Sequence, residues 1–404
     1  MSPLHPLTFE LKADAATRTR LGASVHKALG EPEAAMPPRY IGETPLVMSE
    51  RLDAEVTRRA AMLRDWVFEQ HAAGRWRDDP VWGDIGPPDC LCVDLAIVRD
   101  DAAPDGWGVR WVEFQTFLSI AATVHALHVA ACAEWPVLAG LRHWDRSARF
   151  GDDWLAASRH WMAPHAHGIL LEHAPRAQGS AFDLYGSARL WGLSVVDTAD
   201  VRIQGDVLQA CVAGEWRDVP LAVNRLILPE ERDPPAMARA LSRARVAWRN
   251  HPAWFDRVHK GVLPELALAP DERCAPAARW RTLGVAADRL VLKAVDSWGG
   301  ADVLLNVDER HLDQLADPQR WMVQPRFEAL PLMTARDGAP LFGELRLMLA
   351  LEPDGRSWVV ARMARVSRGP MASAAHWAAR PGEGIVPLYA PPRRHGGGGG
   401  PDAA

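Results

Sequence analysis

Three side chains with oxygen donors fall within one predicted β-hairpin. Cys90 to Val98 is rich in β-forming residues, and residues 109–114 form an answering strand across a polar turn. Asp94 lies on the first strand. Glu113 and Gln115 lie on one face at the end of the second, because side chains alternate along a strand. Two carboxylates and an amide oxygen are ligands suited to Mg²⁺. A hairpin with one polar face would explain the same pattern without a metal.

Two lysines follow in the second half of the chain. Lys293 ends a predicted strand, and a polar turn with Ser297, Gly299 and Gly300 comes directly after it. Glycines allow backbone N–H groups to approach phosphate oxygens closely, and a lysine adds a positive charge. Lys260 is a second candidate for phosphate contact. Alone, a surface hairpin turn and a solvated lysine would account for these residues, and the order of a Walker A loop is absent.

Several arginines accompany a glutamate in the predicted hairpin of strands 345–351 and 358–366. Glu344 and Arg346 share a face by alternation, and we expect Arg362 to reach the same face from the partner strand, with Arg368 just beyond it. Guanidinium groups gathered in this way suit a polyphosphate, so these three arginines are the candidate catalytic cations. A ladder of cross-strand ion pairs on a solvated face is an equally good explanation.

Composition excludes some classes of function. The 404 residues are 48% hydrophobic and 24% charged, with a formal net charge of −5, which is typical of a globular protein and predicts no general affinity for nucleic acid or anionic membranes. Five widely spaced cysteines without a paired CxxC pattern favour a reduced, cytoplasmic chain. The start of the sequence lacks the pattern of a signal peptide, and the longest apolar stretch, Ile120 to Cys132, is too short to span a bilayer.

Hydrophobic periodicity predicts an α+β fold. Alternation of strand and helix between Gly168 and Val196 indicates an α/β layer in the middle of the chain. The predicted helices are 14–28, 50–73, 119–133, 180–191 and 236–248. Further strands are expected at 289–293, 301–306 and 321–324. We expect an N-terminal helical region over 1–89, a hairpin and central α/β region over 90–240, a third region over 241–390, and a disordered Gly-rich tail over 391–404.

The order of these motifs resembles the circularly permuted ATP-grasp arrangement of the glutathionylspermidine synthase type. In ordinary ATP-grasp ligases such as glutathione synthetase, the lysines precede the metal-binding set, whereas here the acidic hairpin comes first. The resemblance covers about residues 90 to 390 and implies a nucleotide cleft between two α/β lobes. The residues that carry it are, in chain order, Asp94, Glu113, Gln115, Lys260, Lys293, Gln324, Glu344 and Arg346.

The resemblance also implies a role for each matching position. Gln115 departs from the asparagine that is usual at its position. The implied roles are Mg²⁺ ligation by Asp94, Glu113 and Gln115, contact with the α- and β-phosphates by Lys260 and Lys293, a mobile phosphate loop formed by Ser297, Gly299 and Gly300, a place for Gln324 at the adenine hinge, and places for Glu344 and Arg346 beside the γ-phosphate.

The implied activity is an ATP-dependent ligation of a carboxylate to an amine through an acyl phosphate. Such chemistry requires positioning and charge neutralisation rather than a protein nucleophile. The partners would be ATP, Mg²⁺ and small-molecule or peptide carboxylates and amines. Two alternatives stay open at this point, namely a binding or regulatory protein without turnover and a phosphotransferase that stops at the phosphorylated product.

Overall fold

The computed structural model describes residues 2–30, 34–145, 149–165, 167–228, 233–297, 302–369, 372 and 377–392. The helices within these ranges are α1 Leu7–Glu10, α2 Thr17–Ala28, α3 Glu50–Ala72, α4 Ala121–Glu134, α5 Trp154–Met162, α6 Ala181–Trp191, α7 Pro234–Leu241, α8 Ala253–Arg257 and α9 Glu309–Asp313. The strands are β1 Leu46–Val47, β2 Cys90–Arg99, β3 Trp107–Gln115, β4 Ile169–Glu172, β5 Ser194–Asp197, β6 Val201–Gln204, β7 Val207–Val212, β8 Glu215–Asp218, β9 Leu221–Asn224, β10 Ala247–Arg249, β11 Ala275–Pro276, β12 Leu290–Ala294, β13 Val303–Leu304, β14 Trp321–Pro325, β15 Met333–Thr334, β16 Pro340–Leu351, β17 Ser357–Ser367 and β18 Gly384–Tyr389.

A seven-stranded sheet forms the centre of the molecule, in the order β1-β18-β17-β16-β2-β3, with β15 paired to β16. The two predicted hairpins, β2-β3 and β16-β17, lie side by side because β16 pairs antiparallel with β2. β2 is buried along nearly its whole length, as expected for a central strand covered on both faces.

Helix α3 covers one face of this sheet. Its apolar stripe, including Leu52, Val56 and Leu63, packs against the apolar side chains of β2 and β16. The hydroxyl of Ser49 accepts a hydrogen bond from the Leu52 amide and caps the helix. Gly74 adopts a φ of 77° just past the last turn, a conformation that glycine reaches without strain. The sequence therefore predicted both ends of this helix correctly.

The opposite face of the sheet is divided into two halves. Cys92, Met348 and Met363 pack beneath α4 in a second apolar core. Further along the same strands, alternation places Glu344 and Arg346 on this face. Glu344 lines a cleft, whereas Arg346 is buried beneath it and is not part of the lining. The charged half of this face therefore forms the floor of a cleft.

A smaller parallel sheet, in the order β10-β9-β4-β5, confirms the predicted α/β layer. Helix α6 connects β4 to β5, which pair in parallel. The predicted helix over 236–248 is too long: α7 ends at Leu241, and residues 247–249 form β10, because they pair with β9. Helix α5, which the sequence analysis missed, begins after Asp153, whose carboxylate accepts a hydrogen bond from the Ala156 amide.

Two antiparallel sheets complete the fold. One is the meander β6-β7-β8, and the other has the order β11-β14-β12-β13. The second of these, β11-β14-β12-β13, is hereafter called the small sheet. Of the strand predicted over 301–306, the described residues 302–306 contain strand only at Val303–Leu304. Gly299 and Gly300, and residues 393–404 of the predicted tail, lie outside the described residues. Among the described helices, none has the length and apolar character required to cross a membrane.

Three imidazoles stack between α4 and the segment that follows it. The ring centroids of His128 and His143 lie 3.3 Å apart, and His125 stacks on Trp154 at 4.0 Å. Burial lowers the pKa of His125 to about 4 and that of His128 to about 3, and it lowers the pKa of His143 well below its ordinary value. All three rings are therefore neutral near pH 7.

This cluster predicts a loss of stability in mild acid. The unfolded chain binds protons on these histidines below pH 6.5, whereas the folded chain does not until about pH 4, so the free energy of unfolding falls as pH decreases through this window. His128→Phe should reduce the difference in urea stability between pH 7.5 and pH 5.5 by about 1 kcal/mol. His311→Phe, at an exposed position, is the matched control. An unchanged pH dependence in His128→Phe would contradict the prediction.

Candidate active site

A cleft of about 760 Å³ lies between the charged half of the large sheet and the small sheet. Val291, Phe327 and Phe342 contribute apolar surface to its lining. The charged groups that line it include Glu113, Lys293, Glu344, Arg365 and Arg368. The apolar part of the cleft suits a flat ring, and the cluster of charged groups suits a polyanionic tail on the same ligand.

A β-bulge shapes one wall of the cleft. Asp94 pairs with Glu113 and Leu95 pairs with Trp111, which leaves Val112 as the extra residue in β3. The sequence left open whether the register would bring Asp94 opposite Glu113, and the structure shows that it does. Because β3 is an edge strand, side chains of the small sheet can reach its backbone carbonyls: Lys293 Nζ donates to Val112 at 2.9 Å, and Gln324 Nε2 donates to Trp111 at 2.7 Å.

Of the two predicted lysines, Lys293 contacts this wall, whereas Lys260 is not among the residues that line the cleft. Lys293 is 8% exposed, and its ammonium also donates to Gln324 Oε1 at 2.8 Å. Lys260 Nζ donates to the carbonyl and the hydroxyl of Ser297 at 2.5 and 2.9 Å. Burial lowers the pKa of each lysine, and the nearby carboxylate of Glu113 opposes that effect. Both are buried cations whose hydrogen-bond partners are neutral oxygens.

Asp94 lies at the centre of a buried ion-pair network and is 1% exposed. Arg346 binds it with two hydrogen bonds, Nε to Oδ1 at 2.6 Å and Nη2 to Oδ2 at 2.5 Å. Arg365 Nη2 donates to the same Oδ2 at 2.6 Å. Burial alone would raise the pKa of Asp94, but the two guanidinium groups hold it below its ordinary value.

Two further carboxylates extend this network into the cleft. Glu344 Oε2 accepts a hydrogen bond from Arg365 Nη2 at 2.7 Å, and Glu113 Oε1 lies 3.7 Å from the same nitrogen. Burial raises the pKa of Glu344. Arg365 opposes this rise, whereas Asp94 and Glu113 add to it. The predicted ion-pair ladder therefore exists, but it is buried beside a cleft rather than solvated.

The prediction that Arg362 shares a face with Glu344 and Arg346 was wrong. Arg362 pairs with Leu347, so it points away from Glu344 and Arg346, and its Nη2 donates to Asp145 at 3.0 Å. Arg365 lies directly opposite Glu344 and takes the place expected for Arg362. Arg365 belongs to the same run of arginines, and only the strand register separates the two.

Two further predicted site residues differ in position, because Arg368 lines the cleft and Gln115 does not. Arg368 lines it and donates to Asp337 Oδ2 at 2.6 Å. Gln115 shares the face of Glu113, as predicted, but it is not among the residues that line the cleft. Its Nε2 donates to the carbonyl of Phe117 at 3.3 Å and to the Ser119 hydroxyl at 3.4 Å.

A divalent ion has ligands available at the floor of the cleft. Within the described ranges, no three His, Cys, Asp or Glu side chains are arranged to hold a metal ion. Mg²⁺ commonly takes only one or two carboxylates and completes its shell with water and phosphate oxygens. Glu113 and Glu344, which both line the cleft, supply two, so the donor set fits magnesium bound together with a phosphorylated ligand.

Comparison with known proteins supports the class of fold. No protein-family model and no curated protein sequence matches the chain. A solved structure of a glutathione synthetase-like effector from Globodera pallida is similar, with a TM-score of 0.55 at 12% sequence identity, covering 96% of this chain and 99% of that one. At that identity the likeness concerns the fold. The chain is thus a mixed α/β protein whose fold is similar to that of a glutathione synthetase-like protein.

Proposed function

We propose that the cleft binds MgATP in a circularly permuted ATP-grasp fold and that the protein is a carboxylate–amine ligase. The observation that supports this proposal most strongly is that charged side chains from distant parts of the sequence meet at one cleft. Lys293, Arg365 and the carboxylates of Glu113 and Glu344 come from separate parts of the sequence and line one cleft between two sheets. Lys260 is buried nearby, where burial lowers its pKa and the Glu113 carboxylate opposes that effect. The similarity of the fold to a glutathione synthetase-like protein supports it further.

In this proposal the adenine ring packs among the apolar side chains, and the triphosphate extends over the charged floor. Lys293 exchanges the Val112 carbonyl and Gln324 for phosphate oxygens, and Lys260 makes a similar exchange of the Ser297 oxygens. Arg365 and Arg368 neutralise charge at the γ-phosphate end. Mg²⁺ bound at the carboxylates would screen the remaining phosphate charge.

The ligation itself needs a substrate carboxylate placed in line with the γ-phosphate. Its oxygen attacks phosphorus and ADP leaves, and the amine then attacks the acyl phosphate and releases phosphate. The role of the protein is to hold the reacting groups and to neutralise charge, which is consistent with a cleft whose lining is rich in cations.

Calorimetry and product analysis test the proposal in sequence. Titration with a non-hydrolysable ATP analogue and Mg²⁺ should show one site per chain, and ATP turnover to ADP should require both a carboxylate and an amine from a panel. Binding without turnover across the panel would support the regulatory alternative instead. A phosphorylated product that accumulates without amine would support a phosphotransferase. Absence of nucleotide binding would contradict all three.

A further inference from the structure

We infer that Glu344, together with Glu113, holds the divalent ion, and that Asp94 is a positioning residue for Arg346 and Arg365. This inference rests on the proposed function and changes the metal ligands that the sequence resemblance implies, which are Asp94, Glu113 and Gln115. The carboxylates in question lie on the charged half of the large sheet, and they differ in whether they face the bound metal and nucleotide.

First, both carboxylate oxygens of Asp94 already accept hydrogen bonds from arginines. Both accept charge-assisted hydrogen bonds from Arg346, and Oδ2 accepts another from Arg365, at 2.5 to 2.6 Å. Asp94 is 1% exposed and does not line the cleft. A metal ion at Asp94 would displace two guanidinium groups from a buried carboxylate, which is costly because each would lose its partner charge.

Second, the amide of Gln115 is already hydrogen-bonded outside the cleft lining. Its amide nitrogen donates to the Phe117 carbonyl and lies near the Ser119 hydroxyl, which in turn contacts Arg346 Nη1 at 3.2 Å. The side chain thus ties the start of the loop before α4 to the arginine network. It contributes no surface to the cleft lining.

The third step is that Glu113 and Glu344 share one location. Both line the cleft with Lys293, and both lie within 4 Å of Arg365 Nη2. They come from β3 and β16, on either side of β2, and point to the same face. Two carboxylates beside bound phosphates match the ligand set that Mg²⁺ prefers.

Asp94 then acts through the arginines. It holds Arg365 by one nitrogen so that this side chain lies between Asp94 and Glu344 at the edge of the cleft. Without the carboxylate, Arg365 would lose one of the two groups that hold it at this edge, and its contact with the phosphates would weaken. Asp94 therefore fixes the position of a cation at the phosphate end without touching the ligand.

Two measurements test this inference, one of them without nucleotide. Binding of Mn²⁺ alone is measured by the decrease of the free-ion EPR signal. The affinity for a non-hydrolysable ATP analogue is measured by calorimetry with and without Mg²⁺. Glu344→Gln and Glu113→Gln should each weaken Mn²⁺ binding at least tenfold and remove most of the Mg²⁺-dependent gain in nucleotide affinity. Asp94→Asn should leave Mn²⁺ affinity and the Mg²⁺-dependent gain within threefold of wild type, yet weaken metal-free nucleotide binding. Asp94→Glu should restore part of that loss.

The outcomes separate this inference from the proposed function. Normal Mn²⁺ binding in Glu344→Gln would overturn the inference, and this variant decides the matter even if Asp94→Asn fails to fold. Loss of the Mg²⁺-dependent gain in a folded Asp94→Asn would also overturn it. If wild type binds Mn²⁺ through Glu344 but binds no nucleotide, the proposed function fails while the metal assignment stands. If wild type binds nucleotide equally well with and without metal, the metal assignment fails alone.

Discussion

Lys293→Met is expected to weaken MgATP binding at least 100-fold while leaving the free energy of unfolding unchanged or higher. Lys293 is a buried cation whose hydrogen-bond partners in this structure are the Val112 carbonyl and the Gln324 side chain. Its pKa is lowered because burial disfavours the charged form, so methionine removes a desolvation cost and keeps the apolar stem. A charge-assisted contact to phosphate is lost, and a 100-fold change in affinity corresponds to about 2.7 kcal/mol.

Calorimetric titration measures the affinity for MgATP, and urea denaturation measures the free energy of unfolding. Lys12→Met is the matched control, because Lys12 is exposed and its ammonium donates to the Phe9 carbonyl. It should change neither quantity. Wild-type affinity in Lys293→Met would remove this lysine from the nucleotide site, whereas equal losses of binding and stability would assign it a structural role.

Asp183→Asn is expected to destabilise the protein by about 3 to 5 kcal/mol, the cost of breaking a buried charge pair. Asp183 is fully buried on α6 and accepts hydrogen bonds from the Ile120 amide and from both the amide and the hydroxyl of Thr123. It also accepts one from Arg225 Nη1 at 3.0 Å. Ile120 has a φ of 61°, a rare conformation for a β-branched residue, so the start of α4 depends on this carboxylate.

Equilibrium denaturation in urea at pH 7.5 measures the loss. Asp354→Asn is the control, because Asp354 caps an exposed turn beside Arg356 and should cost less than about 0.5 kcal/mol. A loss below about 1 kcal/mol for Asp183→Asn would mean that Arg225 finds another partner and that the charge is dispensable for capping α4.

Local pattern was enough to predict the elements that carry the site. Alternation and turn residues identified both hairpins, and alternation placed Glu113 and Gln115 on one face. The register that brings Asp94 opposite Glu113 was left open by the sequence. Apolar periodicity with a serine cap and a glycine stop delimited α3. These features depend on neighbours within about ten to twenty residues, which a single sequence displays directly.

The features that local pattern did not predict depend on pairing between distant parts of the sequence. β2 and β16 are adjacent although about 250 residues separate Asp94 from Arg346, and no local pattern reveals that pairing. The bulge at Val112 changes which groups face the cleft, and Arg365 replaces Arg362 because the register pairs Arg365 with Glu344. The segment 247–249 became a strand because β9 offered a free edge, which overrides helical propensity.

The position of β2 in the large sheet has a consequence during protein synthesis. Its neighbour β16 is translated some 240 residues later, so a ribosome-bound chain that ends before residue 340 contains a long apolar strand with one open edge. Such edges recruit other extended chains. Sequence-distant pairing also slows folding, because a large loop must close before the pairing contributes stability. The nascent chain therefore keeps an edge open to other extended chains until its C-terminal strands emerge.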